Sequence, residues 1–486
     1  MKFQTIPVQV TGPTYQTRSR PLSSQSSINW YPKSLPLAKD EFVLMPFPGA
    51  KFNKSFGSVQ GGFDRGFQYI GDSVFVVNRN TLYEFSGDDI SVRGGVNSIA
   101  GTDRCILAGD GENVFIVSNT GVYWYNGSVI QVLTDPNIVG SVSVDFINNQ
   151  FIYTKPNFTS ISNVGDGTTV NPLNVIGEET DPDSLVRDFV YDEIIYRFGT
   201  RSTVAWYNSG VGNPPIEKLQ GRIFQVGLGA IHSVARTDEA MYWLGDDYRV
   251  YRTSAGSKQT VSTEPLSAEF ASYAKQSVDM VKDAQGSTIT MDGNNFYILT
   301  FPTANKTFIL NESLGPLGWS QISSEPEQGR YLGSSYFYYD GKQYLTHFDN
   351  GGLFVLDFDW YYNGGIDVMR RERITNSVNG DLLGAKGKRV QMSKAKFIME
   401  TGVGLMANTI GGGENPRIMI EHSDDGGRTW KHGAWPKVGR LGEFTLQVEY
   451  YNLGTFFDRI FRISTSDPVS YTIYSATIDL RRSSSL

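Results

Sequence analysis

Cysteine is nearly absent from this sequence. Of 486 residues only Cys105 carries a thiol. One cysteine excludes an intrachain disulfide and a thiolate metal cluster. Cys105 opens the apolar run Cys105-Ile106-Leu107-Ala108, so it reads as a buried structural thiol. Charge is also scarce, at 19% of residues, and the formal net charge is -7. A protein that grips duplex DNA shows a basic footprint, because phosphate contacts supply its non-specific affinity. This chain has none overall. No stretch approaches the roughly 18 apolar residues of a membrane-spanning helix. The opening segment MKFQTIPVQV lacks the apolar core of a secretion signal. Synthesis in a reducing cytoplasm without membrane insertion is the expectation. Triplets such as Asn157-Phe158-Thr159 then read as chance glycosylation matches.

What is abundant points to strands and tight turns. Aromatic residues reach 13%, with 26 Tyr and 29 Phe, and there are 52 Gly. This profile argues against helical bundles and against disorder. The length allows a large buried core and two or three domains.

A repeat begins near residue 41. Val74-Phe75-Val76-Val77 with Leu82-Tyr83-Glu84-Phe85-Ser86-Gly87 matches Val114-Phe115-Ile116-Val117 with Val122-Tyr123-Trp124-Tyr125-Asn126-Gly127, ungapped at an offset of 40. Each half is a strand, a turn and a second strand with alternating aromatics. Second strands recur at 82, 122, 161, 204, 250, 308 and 353. That spacing is the period of a propeller, whose blades bury their faces only against each other. The dipeptides Asp110-Gly111, Asn126-Gly127, Asp166-Gly167, Asp292-Gly293, Asp340-Gly341 and Asn350-Gly351 each suit a primed turn with positive φ. Six or seven blades are expected over residues 41–365, closed by a strand from either terminus. One helix fills the long sixth interval, with Pro265 in its first turn and Leu266, Phe270, Tyr273 and Ala274 on its apolar face.

The flanks differ. Residues 1–40 read as an extended arm, Ser-, Thr-, Pro- and Gln-rich over 11–36, which cannot offset its ordering entropy alone. The arm ends in Trp30-Tyr31 beside Pro32, an anchor that docks in cis or on a neighbour. Asp367 to Arg373 is a charged strand or linker. Residues 366–486 carry strands at 391–402, 416–423, 444–451, 457–464 and 471–480, a β-sandwich-like module.

Candidate chemistry is thin. His232, His347, His422 and His432 form no metal or nucleophile motif. Asp110-Gly111-Glu112-Asn113 is too short for a calcium loop. The sharpest motif is Ser423-Asp424-Asp425-Gly426-Gly427-Arg428-Thr429-Trp430, an Asp box. Ser423, Asp425, Gly427, Thr429 and Trp430 carry the pattern: Asp425 would bond turn backbone amides, Gly427 would be left-handed, and Trp430 would pack beneath. Asp boxes resemble those of sialidases, where they are structural turns away from the active site. A propeller glycosidase needs an acid pair, or a Tyr with an arginine cluster, across its pore. No arginine triad announces itself. Neither a catalytic residue nor a metal or cofactor is assigned.

Three segments together resemble the tail hub, or packaged-DNA stabilisation, proteins of short-tailed double-stranded DNA bacteriophages. The first is Met45-Pro46-Phe47-Pro48-Gly49. The second runs from Val261-Ser262-Thr263 through Tyr297-Ile298-Leu299-Thr300-Phe301-Pro302 to Trp319. The third comprises Trp430, Val438-Gly439, Phe456-Phe457-Asp458-Arg459-Ile460-Phe461-Arg462 and Ser466-Asp467-Pro468-Val469. The resemblance spans residues 28–480, with departures in the arm and at 366–390. It implies a non-enzymatic β-propeller subunit of a homohexameric nozzle ring in the virion tail. The ring would lie below the portal and its adaptor, extend the DNA channel and help retain the genome. It would carry tail fibres, spikes or a needle, and let duplex DNA pass without tight binding. Trp30, Tyr31, Phe457, Asp458 and Arg459 become candidate assembly contacts, although Phe457-Asp458-Arg459 also reads as a plain strand with a local ion pair. The rival functions are a sialidase-like propeller glycoside hydrolase and a monomeric propeller binding module. Solution mass and glycan cleavage discriminate among the three.

Overall fold

The seven recurring second strands become the third strand of seven successive antiparallel sheets. They are Thr81–Ser86, Gly121–Tyr125, Phe158–Ile161, Thr203–Asn208, Val250–Ser254, Lys306–Asn311 and Gly352–Asp357. The computed structural model describes residues 2–17, 23–36, 42–57, 61–177, 183–254, 256–325, 329–365, 367–406 and 412–483. The domain boundaries expected at 41 and 366, and the side chain of His432, lie outside the described residues.

Each sheet is one blade of a seven-bladed propeller. Period-two alternation sends successive side chains into opposite seams. In the strand Ser73–Asn78, Phe75 and Val77 face the second blade, while Val74 and Val76 face the seventh. All seven seams hold their own apolar cluster. Each fully buried large side chain there contributes roughly 1.5–3 kcal/mol. Turn chemistry follows the sequence with two departures. Gly111, Gly127, Gly293 and Gly341 take positive φ, whereas Gly167 and Gly351 do not. A Cβ on Gly167 would strike the rings of Phe115 and Phe151, so close packing explains that glycine. Asp110 accepts the amides of Glu112 at 3.0 Å and Asn113 at 2.7 Å, as a hairpin turn requires.

The ring closes with N-terminal chain. Gly49–Ser55 adds the fourth strand of the seventh blade, antiparallel from Gly49 opposite Asp357 to Ser55 opposite Gly352. Gly49 sits where a Cβ would run into the carbonyl oxygens of Trp360 and Tyr362. Gly49→Ala should therefore cost about 1–3 kcal/mol through overpacking at the closure. A urea midpoint unchanged from wild type would refute this.

The helix of the sixth interval is Glu264–Gln276, with Leu266, Phe270 and Tyr273 buried. Phe270 packs on Phe301 with ring centroids 4.8 Å apart. The helix covers the seam between the fifth and sixth blades.

The C-terminal module is a sandwich. One sheet is centred on Val390–Met399, between Val448–Phe456 and Ile473–Arg482. The other runs through Arg371–Ile374, Asp458–Thr465, Met419–Ser423 and Lys431–Ala434. The strand expected at 444–451 begins instead at Val448 and runs to Phe456. Phe444, Leu446 and Val448 alternate like a strand, but Phe444 and Leu446 lie exposed in the preceding loop.

The extended arm stitches the two modules together. Gln4–Val8 pairs with Ile473–Arg482 of the sandwich. Ser24–Ile28 joins the outer strand of the sixth blade at Ile28–Gln321 and pairs on its other edge with Arg371–Ile374. The result is one sheet of eleven strands, running from the sixth blade into the sandwich.

Candidate assembly site

The junction is built by two adjacent side chains on the strand Trp30–Ser34. Trp30 enters the sandwich core beside Leu44, Phe397 and Ile473. Its Nε1 donates to the Tyr471 carbonyl at 2.8 Å. Tyr31 points the other way, into the seam of the sixth and seventh blades. Its ring meets Phe296 edge-on at 5.2 Å. The anchor therefore docks in cis. Both side chains are buried against their own chain.

The charged segment at 367–373 divides in two: Asp367–Val368 is exposed and pairs with Tyr362–Asn363, whereas Arg371–Ile374 is a largely buried strand. Arg371 and Arg373 are fully buried. Arg371 donates to the carbonyls of Asp467 at 3.2 Å and Val469 at 3.1 Å, and lies 4.6 Å from the Tyr361 ring centroid. Arg373 donates to the carbonyls of Val10 at 2.9 Å and Pro13 at 3.3 Å, and to Gln25 Oε1 at 2.7 Å. Burial pushes Arg371 down to about 10 and Arg373 down to about 9, so both remain cationic at neutral pH. The Arg373 guanidinium satisfies main-chain oxygens of the arm, and that of Arg371 satisfies those of Asp467 and Val469 in the sandwich.

On the sandwich the Asp-box residues form one turn. Asp425 Oδ1 accepts the amides of Arg428 and Thr429, both at 2.9 Å, and Oδ2 accepts the Thr429 hydroxyl at 2.5 Å. Ser423 Oγ donates to Asp425 Oδ1 at 2.7 Å and accepts the Gly427 amide at 2.9 Å. Gly427 has φ of 84°. The bonds from Ser423 and Thr429 hold the Asp425 carboxyl well below the usual range. Trp430 is half-buried, its ring 4.4 Å from the Arg462 guanidinium. The motif organises a turn.

Phe457, Asp458 and Arg459 separate: Phe457 lies at the bend between Val448–Phe456 and Asp458–Thr465, and the adjacent strand residues Asp458 and Arg459 face opposite ways. Arg459 is buried and pairs with Asp424, not with adjacent Asp458. Nε lies 2.6 Å from Oδ1 and Nη2 2.9 Å from Oδ2. Asp458 is half-buried and accepts from Ser377 at 2.8 Å. Phe457 is 55% exposed, with the Arg389 guanidinium 5.2 Å from its ring. His422 bonds the Tyr450 hydroxyl through Nδ1 at 3.0 Å. Burial, with Arg459 beside it, pushes His422 down to about 4, so the ring is neutral at physiological pH.

Phe457 has company that sequence reading missed. Trp435, Leu441, Phe444 and Tyr451 are all more than half exposed on the same module. Tyr451 was recoverable from alternation, since Val448 and Tyr450 face inward and Glu449 and Tyr451 outward. The loop aromatics left no such signal. Exposed aromatics of this kind suit the core of a protein interface.

Cys105 is buried, and desolvation pushes its thiol up to about 12, as an inert structural residue requires. Among the described residues no helix is long and apolar enough to cross a membrane.

Comparison with known proteins gives the same division into two modules. The family model described as bacteriophage P22 Gp10, beta-propeller, matches residues 4–361. The one described as bacteriophage P22 Gp10, beta-sandwich, matches residues 377–481. No curated protein matches the sequence. Among solved structures, BBS1N in complex with ARL6DN is similar at 10% identity and a TM-score of 0.40, over 64% of this chain and 98% of that one. The Pan2 WD40 domain of Neurospora crassa gives 10% and 0.40, over 67% and 98%. BamB of Moraxella catarrhalis gives 10% and 0.37, over 73% and 96%. Likenesses this distant carry no functional argument. The two family matches span nearly the whole chain, and the protein belongs to the bacteriophage P22 Gp10 family of tail hub proteins that stabilise packaged DNA.

Proposed function

We propose that the chain is the subunit of a homohexameric ring set below the portal and its adaptor. The ring extends the DNA channel, helps to retain the genome, and carries fibres, spikes or a needle. Family membership supplies the coarser part: a structural protein of the virion tail that assembles with other tail and portal proteins.

The observation that carries the finer part is the narrow centre of the propeller. All seven inner strands converge there on a cavity of about 250 Å³. A duplex whose major groove alone is about 12 Å wide does not pass through such a space. A conduit built from this chain therefore runs between copies, which calls for a ring. The net charge of -7 suits a conduit, because Lys and Arg contacts to phosphate would slow exit. The outward aromatics of the sandwich supply surface for neighbours.

Solution mass together with negative-stain imaging tests the reading, with the protein alone and with its adaptor. A sixfold ring is expected. A stable monomer under both conditions, or one that cleaves glycans, overturns it. A ring that binds duplex DNA tightly at physiological salt overturns the conduit role.

A further inference from the structure

The centre of the propeller holds unbalanced positive charge. Arg104, Arg187 and Arg236 line one cavity with His232 and Asp145. They approach from the second, fourth and fifth blades and are far apart in sequence. Asp64 offsets Arg104 across 3.1 Å, and Ser334 and Ser335 accept its remaining bonds at 2.8 and 3.1 Å. Arg187 and Arg236 make no ion pair with any described residue. Arg187 donates through Nη1 to the Ile231 carbonyl at 2.9 Å and stacks 5.0 Å from the Phe189 ring centroid. Its Nε is buried with no hydrogen-bond partner. Arg236 donates to the Val190 carbonyl at 3.2 Å and is exposed at the mouth.

Asp145 is the one acid in the lining, and both its oxygens are occupied. They accept the amides of Phe146 and Val190, each at 2.8 Å. Burial raises its pKa and weakens its hold on the proton-free state. Burial, then Arg104 and Arg187, keeps His232 well below its usual range, so it adds no charge. Two guanidiniums thus face one carboxylate, an excess of one positive charge. A buried guanidinium N–H without an acceptor is costly, and a planar two-oxygen anion matches its fork.

We propose that the propeller pore binds one small monoanion, a carboxylate, between the guanidiniums of Arg187 and Arg236. The cavity of about 250 Å³ admits such a group. A phosphate dianion fits the charge balance less well, because Asp145 repels the second charge. The site lies apart from the sandwich surface and does not depend on the ring.

Titration of the purified protein with sodium acetate tests this, with chloride holding ionic strength constant. Saturable binding with one acetate per chain is expected by calorimetry, with a shift of the His232 imidazole resonances. Arg236→Ala should weaken binding about tenfold, as loss of one charged hydrogen bond does. Arg187→Met should weaken it at least as much. Arg236 is at the surface, so its variant remains informative if Arg187→Met does not fold. Inorganic phosphate should bind more weakly than acetate. Absence of saturable acetate binding, tighter binding of phosphate, or unchanged affinity in Arg236→Ala would each overturn the assignment.

Discussion

Trp30→Ala should destabilise the sandwich by about 3–5 kcal/mol, the usual cost of deleting a buried large aromatic side chain. Tyr31→Ala should destabilise the propeller by a similar amount, and the two lesions should be spatially distinct. The physical reason is strand alternation. Trp30 belongs to the sandwich core and Tyr31 to the seam of the sixth and seventh blades. Loss of Trp30 also orphans the buried Tyr471 carbonyl that its indole serves. Hydrogen exchange read by mass spectrometry checks this. Trp30→Ala should speed exchange in Val390–Met399 and Ile473–Arg482, and Tyr31→Ala in Asn294–Phe301. Equal acceleration of both modules by either variant would contradict the two-sided rivet.

The second large effect concerns Asp424 and Arg459, and it is asymmetric. Asp424→Ala should cost about 3–5 kcal/mol, because a buried guanidinium is left without its counter-charge. Arg459→Met should cost less, about 1.5–3 kcal/mol by the scale of a charged hydrogen bond. The aspartate is 25% exposed and keeps Lys431 at 3.0 Å, whereas the Arg459 side chain is 2% exposed. Methionine also preserves packing against Phe456, whose ring centroid lies 4.0 Å from the guanidinium. Burial alone would raise Asp424, but bonds from Arg459 and Lys431 hold it below its ordinary value. The unfolded carboxyl titrates near about 4. The pair's contribution is therefore complete above that pH and is lost as pH falls through the lower folded value. Denaturant midpoints of both variants at pH 7 and in acid decide the matter. Arg459→Met as damaging as Asp424→Ala would show that the carboxylate, not the guanidinium, is the costly group.

The two lesions sit in the parts of the chain that were hardest to read. The blades were legible because each repeats a local pattern. Alternating Tyr83 and Phe85, or Tyr123 and Tyr125, states which face is buried without reference to anything distant. The helix at 264–276 was legible for the same reason, its apolar residues spaced at one helical turn. The Asp-box turn is a local hydrogen-bond set, so its residues alone specify it.

Other features had no local signature. Arg371 and Arg373 read equally as part of a charged strand or of a linker, since a guanidinium is normally exposed. Partners brought from both ends of the chain, among them the carbonyls of Val10, Pro13 and Val469, make their burial tolerable. Arg459 had an acid beside it in sequence and chose another, because the pleat sends Asp458 to the opposite face. The three pore arginines come from separate blades, and nothing near any of them announces the others.

The sequence by itself determined an all-β chain, a propeller repeat with a second β module, and the family to which they belong, because hydrophobic period and turn chemistry act over a few residues. Tertiary structure alone decided that Gly49–Ser55 closes the seventh blade, that the arm welds propeller to sandwich, and that three arginines meet in the pore. Those outcomes depend on hydrogen-bond partners and charges hundreds of residues away, and no local pattern encodes which edge, carbonyl or carboxylate a distant strand will meet.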